Sequence, residues 1–252
     1  MKIDPIHQFN IEPLFTIGHI GNQTIAFTNS SLYMFISVAV ISLLMIGGMS
    51  ARALVPGRMQ SIAEISYEFV ASTIRSTAGS EGMKFFPLIF SLFMFICISN
   101  LIGIIPYTFT VSSHIIVTAA LALLVWFTVL TYGVYKNGLK FFKLFVPSGV
   151  PTFVLPLVIF IEVLSFFFVK PVSHALRLFA NMLAGHIALK VFAGFVAMLG
   201  ASLGAVGWIG GLAPLALTVA ITALELLVAF LQAYVFAILA CIYLNDAIHP
   251  GH

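Results

Sequence analysis

The sequence predicts an all-α integral membrane protein, and three observations lead to that fold class. Hydrophobic residues make up 61% of the 252 positions and charged residues only 8%, and the mean hydropathy is +1.14. A soluble domain typically has about 45–50% apolar and about 25% charged residues. Several apolar runs also reach the roughly 20 residues that a helix needs to cross a bilayer. We therefore expect about five to six membrane helices and an additional surface helix.

The first half of the chain divides into an arm, three predicted spans and one amphipathic segment. Residues 1–30 form the arm. The predicted spanning helices are long, mainly apolar runs, over residues 31–51, 85–106 and 115–135. Between the first two, segment 59–79 has Glu64, Glu68 and Arg75 at helical spacing. This pattern predicts a helix that lies on the membrane surface.

Two much longer apolar runs, 153–200 and 212–246, occupy the second half, and a glycine-rich stretch, 200–211, connects them. As one helix the first run would be roughly 70 Å long, more than twice the hydrocarbon thickness of about 30 Å. Pro171 is a candidate position for a kink or break. Either each run crosses more than once, or the two form a long, tilted helical hairpin; hydropathy leaves both open.

The basic residues next to the first three spans predict the orientation. They fall into two loops: Arg52, Arg58, Arg75 and Lys84 in the first, and Lys136, Lys140 and Lys143 in the second. The arm has only Lys2, and residues 107–114 have none. Cytoplasmic or matrix loops are enriched in Lys and Arg, so the arm is expected on the outer side.

Polar residues inside the two long runs are the candidate functional groups. They are Glu162, Ser165, Lys170, Ser173, His174, Arg177, Asn181, His186, Lys190, Glu225 and Gln232. Ionisable residues within a membrane are costly, and they usually face a protein interior or a water-filled path.

Helical spacing sorts this set into faces. Asn181 follows Arg177 by four residues, so both point the same way, and Glu225 and Gln232, seven apart, also share a face. His186 is nine residues beyond Arg177, which places it on nearly the opposite side of a straight helix. Small residues allow another helix to approach the first run closely, and these are Ala180, Ala184, Gly185 and Ala188.

Structural interpretations of these residues stay open at this point. Arg177 would be an ion-pair partner of Glu225 or Glu162, and His186 a hydrogen-bonded core histidine. Two lysines would extend their ammonium groups to the membrane interface, Lys170 and Lys190.

The set as a whole favours proton transfer. Glu162, His186 and Glu225 can exchange protons, whereas the guanidinium of Arg177 stays charged. Placed between two aqueous pathways, it would repel hydronium and block direct passage of protons. A carboxylate on a partner could still lose its proton to one pathway and regain one from the other.

Other classes of function lack their sequence signals. Cys97 and Cys241 stand singly, which predicts no metal site and no disulfide, and we expect no cofactor and no nucleic-acid partner. No GxxxxGK[ST] or HExxH motif occurs, so the chain is not expected to be an enzyme on its own. A proton-coupled secondary transporter is the alternative function, but it predicts internal repeats and none is visible.

Three stretches resemble subunit a of F-type ATP synthases, the membrane stator beside a rotating c-ring. They are SNLIGIIPYTFTVSSH (99–114), EVLSFFFVKPVSHALRLFANMLAGH (162–186) and ELLVAFLQAYVFAILACIYLNDAIH (225–249), and LRLFANMLAGH is especially specific. The resemblance covers essentially the whole chain. It implies that the two long runs form the tilted hairpin, that Arg177 faces the c-ring carboxylate, and that Asn181 and Gln232 are its polar neighbours at the rotor surface.

The resemblance also implies two half-channels. Glu162 and Ser165 would line the one to the cytoplasm or matrix, and His186 and Glu225 the one to the outer side. Many bacterial members have an acid nine residues after the arginine and a histidine in the last helix, whereas here the histidine comes first. We therefore expect His186 and Glu225 to be neighbours.

The implied partners are the c-ring, b-type peripheral stalk subunits, the rest of the F1Fo complex and membrane lipids. The implied role is a non-catalytic proton-channel subunit. The chain is similar to alphaproteobacterial members, which implies a bacterial inner membrane more than a mitochondrial one.

Overall fold

The computed structural model describes residues 9–20, 23–50, 55–105, 108–146, 151 and 153–249, which are mostly helical. An N-terminal hairpin consists of strands β1 (Pro13–Ile20) and β2 (Gln23–Thr28). The helices are α1 (Asn29–Ser50), α2 (Arg58–Gly82), α3 (Phe86–Ile104), α4 (Ile115–Asn137), α5 (Leu155–Leu164), α6 (Lys170–Gly210) and α7 (Leu212–Ile248).

Among the residues that the structure describes, five helical segments are long and apolar enough to cross a membrane. They are Asn29–Met49, Arg58–Ile104, Ile115–Asn137, Leu155–Ala201 and Leu212–Ile248. A helix of about 20 residues is roughly 30 Å long, the thickness of the hydrocarbon core. The predicted class, an all-α integral membrane protein, is confirmed.

The chain forms two compact units, each assembled from separated stretches. The first unit contains the chain up to Ile41, Phe95–His114 and Leu178–Gln232, and the second contains Ser42–Met94, Ile115–Arg177 and the chain from Ala233 onward.

The β-hairpin of the first unit was not expected, since the sequence predicts only an arm over residues 1–30. β1 and β2 are antiparallel, and Phe15 pairs with Phe27 with their ring centroids 4.9 Å apart. A signal for it exists in the sequence, because Gly21 and Asn22 separate two runs rich in β-branched and aromatic residues.

Helix α2 of the second unit is buried along one stripe only. Its buried residues recur at helical spacing, and they include Ala63, Val70, Ala71, Ile74 and Ala78. The charged side chains of Glu64, Glu68 and Arg75 are exposed. α2 matches the predicted helix over 59–79, and its place on the membrane surface stays a prediction.

The kink expected at Pro171 is instead a local widening of the helix. Residues Ser165–Val169 form a π-helical turn between α5 and α6, and the N–H of Lys170 bonds to the carbonyl of Ser165. Pro171 has no N–H with which to continue this pattern. The carbonyl of Phe166 instead accepts a hydrogen bond of 2.9 Å from Nε1 of Trp126. The helical path therefore continues through Pro171 without a break.

The glycine-rich stretch 200–211, interpreted from sequence as a connection, is helical as far as Gly210. Its one non-helical residue is Gly204, with φ of 59°, a conformation that glycine adopts readily. Only Gly211 separates α6 from α7.

Candidate functional site

A buried histidine–glutamate pair lies in the first unit, between α6 and α7. Nδ1 of His186 contacts Oε1 of Glu225, and the two side chains are 5% and 3% exposed. The expectation that these residues are neighbours is confirmed. Both groups can gain and lose protons, so the contact joins two proton-exchanging groups inside apolar helices.

Gly185 makes room for this pair. A methyl group at Gly185 would lie 2.9 Å from Oε1 of Glu225, closer than packed atoms normally approach. The expectation that small residues let a second helix approach α6 is therefore met at the position next to His186.

Parts of the pair have no hydrogen-bond partner within the described chain. These atoms are Nε2 of His186 and the second carboxylate oxygen, Oε2 of Glu225. A buried polar atom without a partner costs roughly 1–3 kcal/mol. Such atoms are uncommon in folded proteins and call for a functional explanation or an ordered water.

A second polar contact joins the same two helices. Nδ2 of Asn181 donates a hydrogen bond of 2.8 Å to Oε1 of Gln232. On α7, Glu225, Ala229 and Gln232 are all buried, as their shared face predicts. Gln232 is 4% exposed while Asn181 is exposed, so only Asn181 is at the surface of the chain.

Asn100 on α3 is a further buried polar residue of the first unit, and it was not among the residues predicted from the sequence. It is fully buried, donates a bond of 3.4 Å to the carbonyl of Ala229, and accepts one of 2.6 Å from the hydroxyl of Ser112. The signal that could have found it is a lone asparagine within an otherwise apolar predicted span.

Arg177 lies on α6 in the second unit, and its side chain is exposed. Within the described residues it forms no ion pair, and the carboxylate of Glu225 contacts His186 instead. The described chain therefore shows no pairing of Arg177 with Glu162, which lies in the same unit.

Glu162 and Ser165 lie near the junction of α5 and the π-helical turn. Both are partly exposed. The carboxylate of Glu162 has no hydrogen bond or ion pair with the part of the chain that the structure describes.

The two lysines expected to extend to the membrane interface are partly exposed, and each contacts another side chain. Nζ of Lys170 lies 3.4 Å from Oδ2 of Asp246 and 5.3 Å from the ring centroid of Tyr243. Nζ of Lys190 lies 5.0 Å from the ring centroid of Phe9. An opposite charge or an aromatic face stabilises a partly buried cation, which is consistent with both contacts, and the place of the two ammonium groups relative to the membrane interface stays a prediction.

No group of three or more His, Cys, Asp or Glu side chains that could hold a metal ion occurs among the described residues. Cys97 and Cys241 are buried free thiols.

Comparison with known proteins gives a family match and full-length relatives. The family described as ATP synthase A chain matches residues 31–245. The protein named ATP synthase subunit a from Bradyrhizobium diazoefficiens is 84% identical over the full length of both chains. The protein of that name from Rhodopseudomonas palustris strain TIE-1 is 77% identical over the full length of both. That from Nitrobacter winogradskyi is 76% identical over 99% of this chain and all of its own.

Proposed function

The chain belongs to the ATP synthase A chain family as subunit a of the Fo sector, and from this premise we propose how it conducts protons. Two offset half-channels reach the c-ring from opposite sides of the bacterial inner membrane. Each proton crosses by riding on a c-ring carboxylate between them, which couples proton flow to rotation and ATP synthesis.

The observation that supports this proposal most strongly is the buried contact between His186 and Glu225. A structural pair of this kind would normally have its remaining polar atoms satisfied. Here Nε2 of His186 and Oε2 of Glu225 are buried without a hydrogen-bond partner in the described chain. We assign the pair to the outer half-channel, where it passes protons between external water and the ring.

Arg177 acts as the electrostatic gate between the half-channels. Its guanidinium does not deprotonate, so it repels hydronium without relaying a proton. Because no carboxylate of the described chain neutralises it, its charge is available to an acid on a partner. That acid is the c-ring carboxylate, which releases its proton as it approaches Arg177.

Glu162 and Ser165 line the inner half-channel. Their partial exposure and the unpaired carboxylate of Glu162 support a hydrated position. Protons leave the ring toward the cytoplasm along this side.

The ring faces the exposed side of α6 and α7 in the first unit. Ala180 and Ala184 are exposed, so a neighbouring helix can approach α6 closely. On α7 several exposed side chains are large and apolar, and they include Leu224, Leu227, Phe230 and Leu231. Asn181 presents the polar group on this surface and Gln232 supports it from the interior.

The other partners are b-type stalk subunits, which hold the chain still against the rotating ring, and membrane lipids. The chain is a non-catalytic component, and the nucleotide chemistry belongs to other subunits of the F1Fo complex.

The test is passive proton flow through membrane vesicles stripped of F1. Glu225→Gln keeps the size of the side chain but loses its exchangeable charge. We expect proton flow to fall at least about tenfold, with the complex still assembled. Flow at the wild-type rate would remove Glu225 from the pathway.

A further inference from the structure

The N-terminal arm reaches the buried pair through one aromatic residue. The ring centroid of Phe9 lies 6.4 Å from that of the His186 imidazole, with the ring planes 20° apart. Phe9 is only 9% exposed. Nζ of Lys190, one helical turn beyond His186, lies 5.0 Å from the same Phe9 centroid. Phe9 therefore packs between the imidazole and an ammonium group.

The chain just after Phe9 is fastened to the start of α1 by Asn29. Its Nδ2 donates to the carbonyl of Asn10 at 2.9 Å, and its Oδ1 accepts from the N–H of Glu12 at 3.2 Å. The N–H of Asn29 also donates to the carbonyl of Glu12 at 3.1 Å. These three bonds fix residues 10–12 to the start of α1, directly beside Phe9.

We propose that residues 9–12, here called the strap, close the His186–Glu225 pair off from external water. The proposal rests on the proposed function, in which this pair belongs to the outer half-channel. Phe9 covers the imidazole and Asn29 sets how often the strap lifts. Water reaches Nε2 of His186 only while the strap is open.

The closed position is stable but reversible for a physical reason. Phe9 contributes an aromatic stack and a cation–π contact, each worth about 0.5–1.5 kcal/mol. The strap is anchored by hydrogen bonds of the exposed Asn29 region, which exchange with water at little net cost. Local opening of this kind is expected for a segment with few buried contacts.

Chemical labelling of His186 in the intact F1Fo complex tests the strap. Diethyl pyrocarbonate modifies accessible neutral imidazoles, and mass spectrometry of the peptides measures each site. His19 on β1 is exposed and His174 is 3% exposed, so they serve as internal high and low references. The variants are Phe9→Ala, which removes the cover, and Asn29→Ala, which releases the strap without touching the pair. Leu14→Ala, at an exposed position of β1, is the matched control.

We expect both test variants to raise the labelling rate of His186 about tenfold relative to His19, with His174 unchanged and Leu14→Ala like the wild type. Unchanged labelling of His186 in Phe9→Ala would show that the strap does not cover this residue. A parallel rise in the labelling of His174 would also contradict the proposal, because it would indicate a general loosening of the protein. Labelling does not depend on proton flow, so failure of the strap is distinct from failure of the pair, which would appear as normal flow in Glu225→Gln.

Discussion

Nδ1 of His186 on α6 contacts Oε1 of Glu225 on α7, and neither side chain is more than 5% exposed. Burying two ionisable groups among apolar helices is costly, and contact with each other offsets only part of that cost. Because each group also keeps a polar atom without a partner in the described chain, stability does not explain the arrangement. The proposed proton pathway gives this arrangement a function.

The space next to the pair is narrow, so Gly185→Ala should displace the carboxylate of Glu225. The added methyl would lie 2.9 Å from Oε1 and 3.3 Å from Cδ. Overpacking of this kind typically costs about 1–3 kcal/mol, and rotating Glu225 away from His186 relieves it. We expect passive proton flow to fall about tenfold in F1-stripped vesicles, with the amount of assembled complex nearly normal.

Gly210→Ala is the matched control on the same helix, because a methyl there meets no described atom within 4 Å. Its proton flow should equal that of the wild type. If proton flow in Gly185→Ala also equals that of the wild type, proton conduction does not depend on the present position of the Glu225 carboxylate.

Exchanging the two members of the pair should preserve function. His186→Glu alone puts two acids in contact, and Glu225→His alone puts two imidazoles there, so either variant should lose at least about tenfold in proton flow. The double variant restores one acid and one base in the same contact. We expect it to recover most of the flow, and a double variant no better than the worse single one would show that the order along the chain matters.

The contact between Asn181 and Gln232 should matter less than the charged pair. Gln232→Leu removes the acceptor of the 2.8 Å bond and leaves Asn181, which is exposed, free to bond to water. A neutral hydrogen bond contributes about 1 kcal/mol, so ATP-driven pumping should slow about fivefold. Thr222→Ala, at an exposed position of α7 whose hydroxyl bonds only within the helix, should pump normally. Complete loss of pumping in Gln232→Leu would assign that residue a direct role.

Which residues of one helix share a face could be predicted from the sequence, because helical spacing determines the direction of each side chain. The shared buried face of Glu225, Ala229 and Gln232 follows from intervals of four and three residues. The opposite surroundings of Arg177, exposed, and His186, buried, follow from an interval of nine.

Contacts between distant parts of the chain could not be predicted in this way. Asn100 and Ala229 are 129 residues apart, and Lys170 and Asp246 are 76 apart. Periodicity shows that a residue faces a neighbour but not which neighbour. For Lys170 the sequence did not show that an acid near the end of α7 lies beside it. Without that information, an ammonium group extended to the membrane interface was the better interpretation. The pairing of His186 with Glu225 came from the family resemblance and not from spacing.

Arg177→Ala tests the gate assigned to Arg177, because it removes the permanent positive charge between the half-channels. ATP-driven proton pumping and passive proton flow should be measured on the same membrane vesicles. Ser173→Ala, at an exposed position one turn earlier on α6, is the control, and its coupled ATP hydrolysis should show normal assembly. Without the guanidinium, protons should cross between the half-channels without riding the ring. We predict that pumping is abolished while passive flow through assembled Fo increases; pumping at the wild-type rate, with no added leak, would contradict the account.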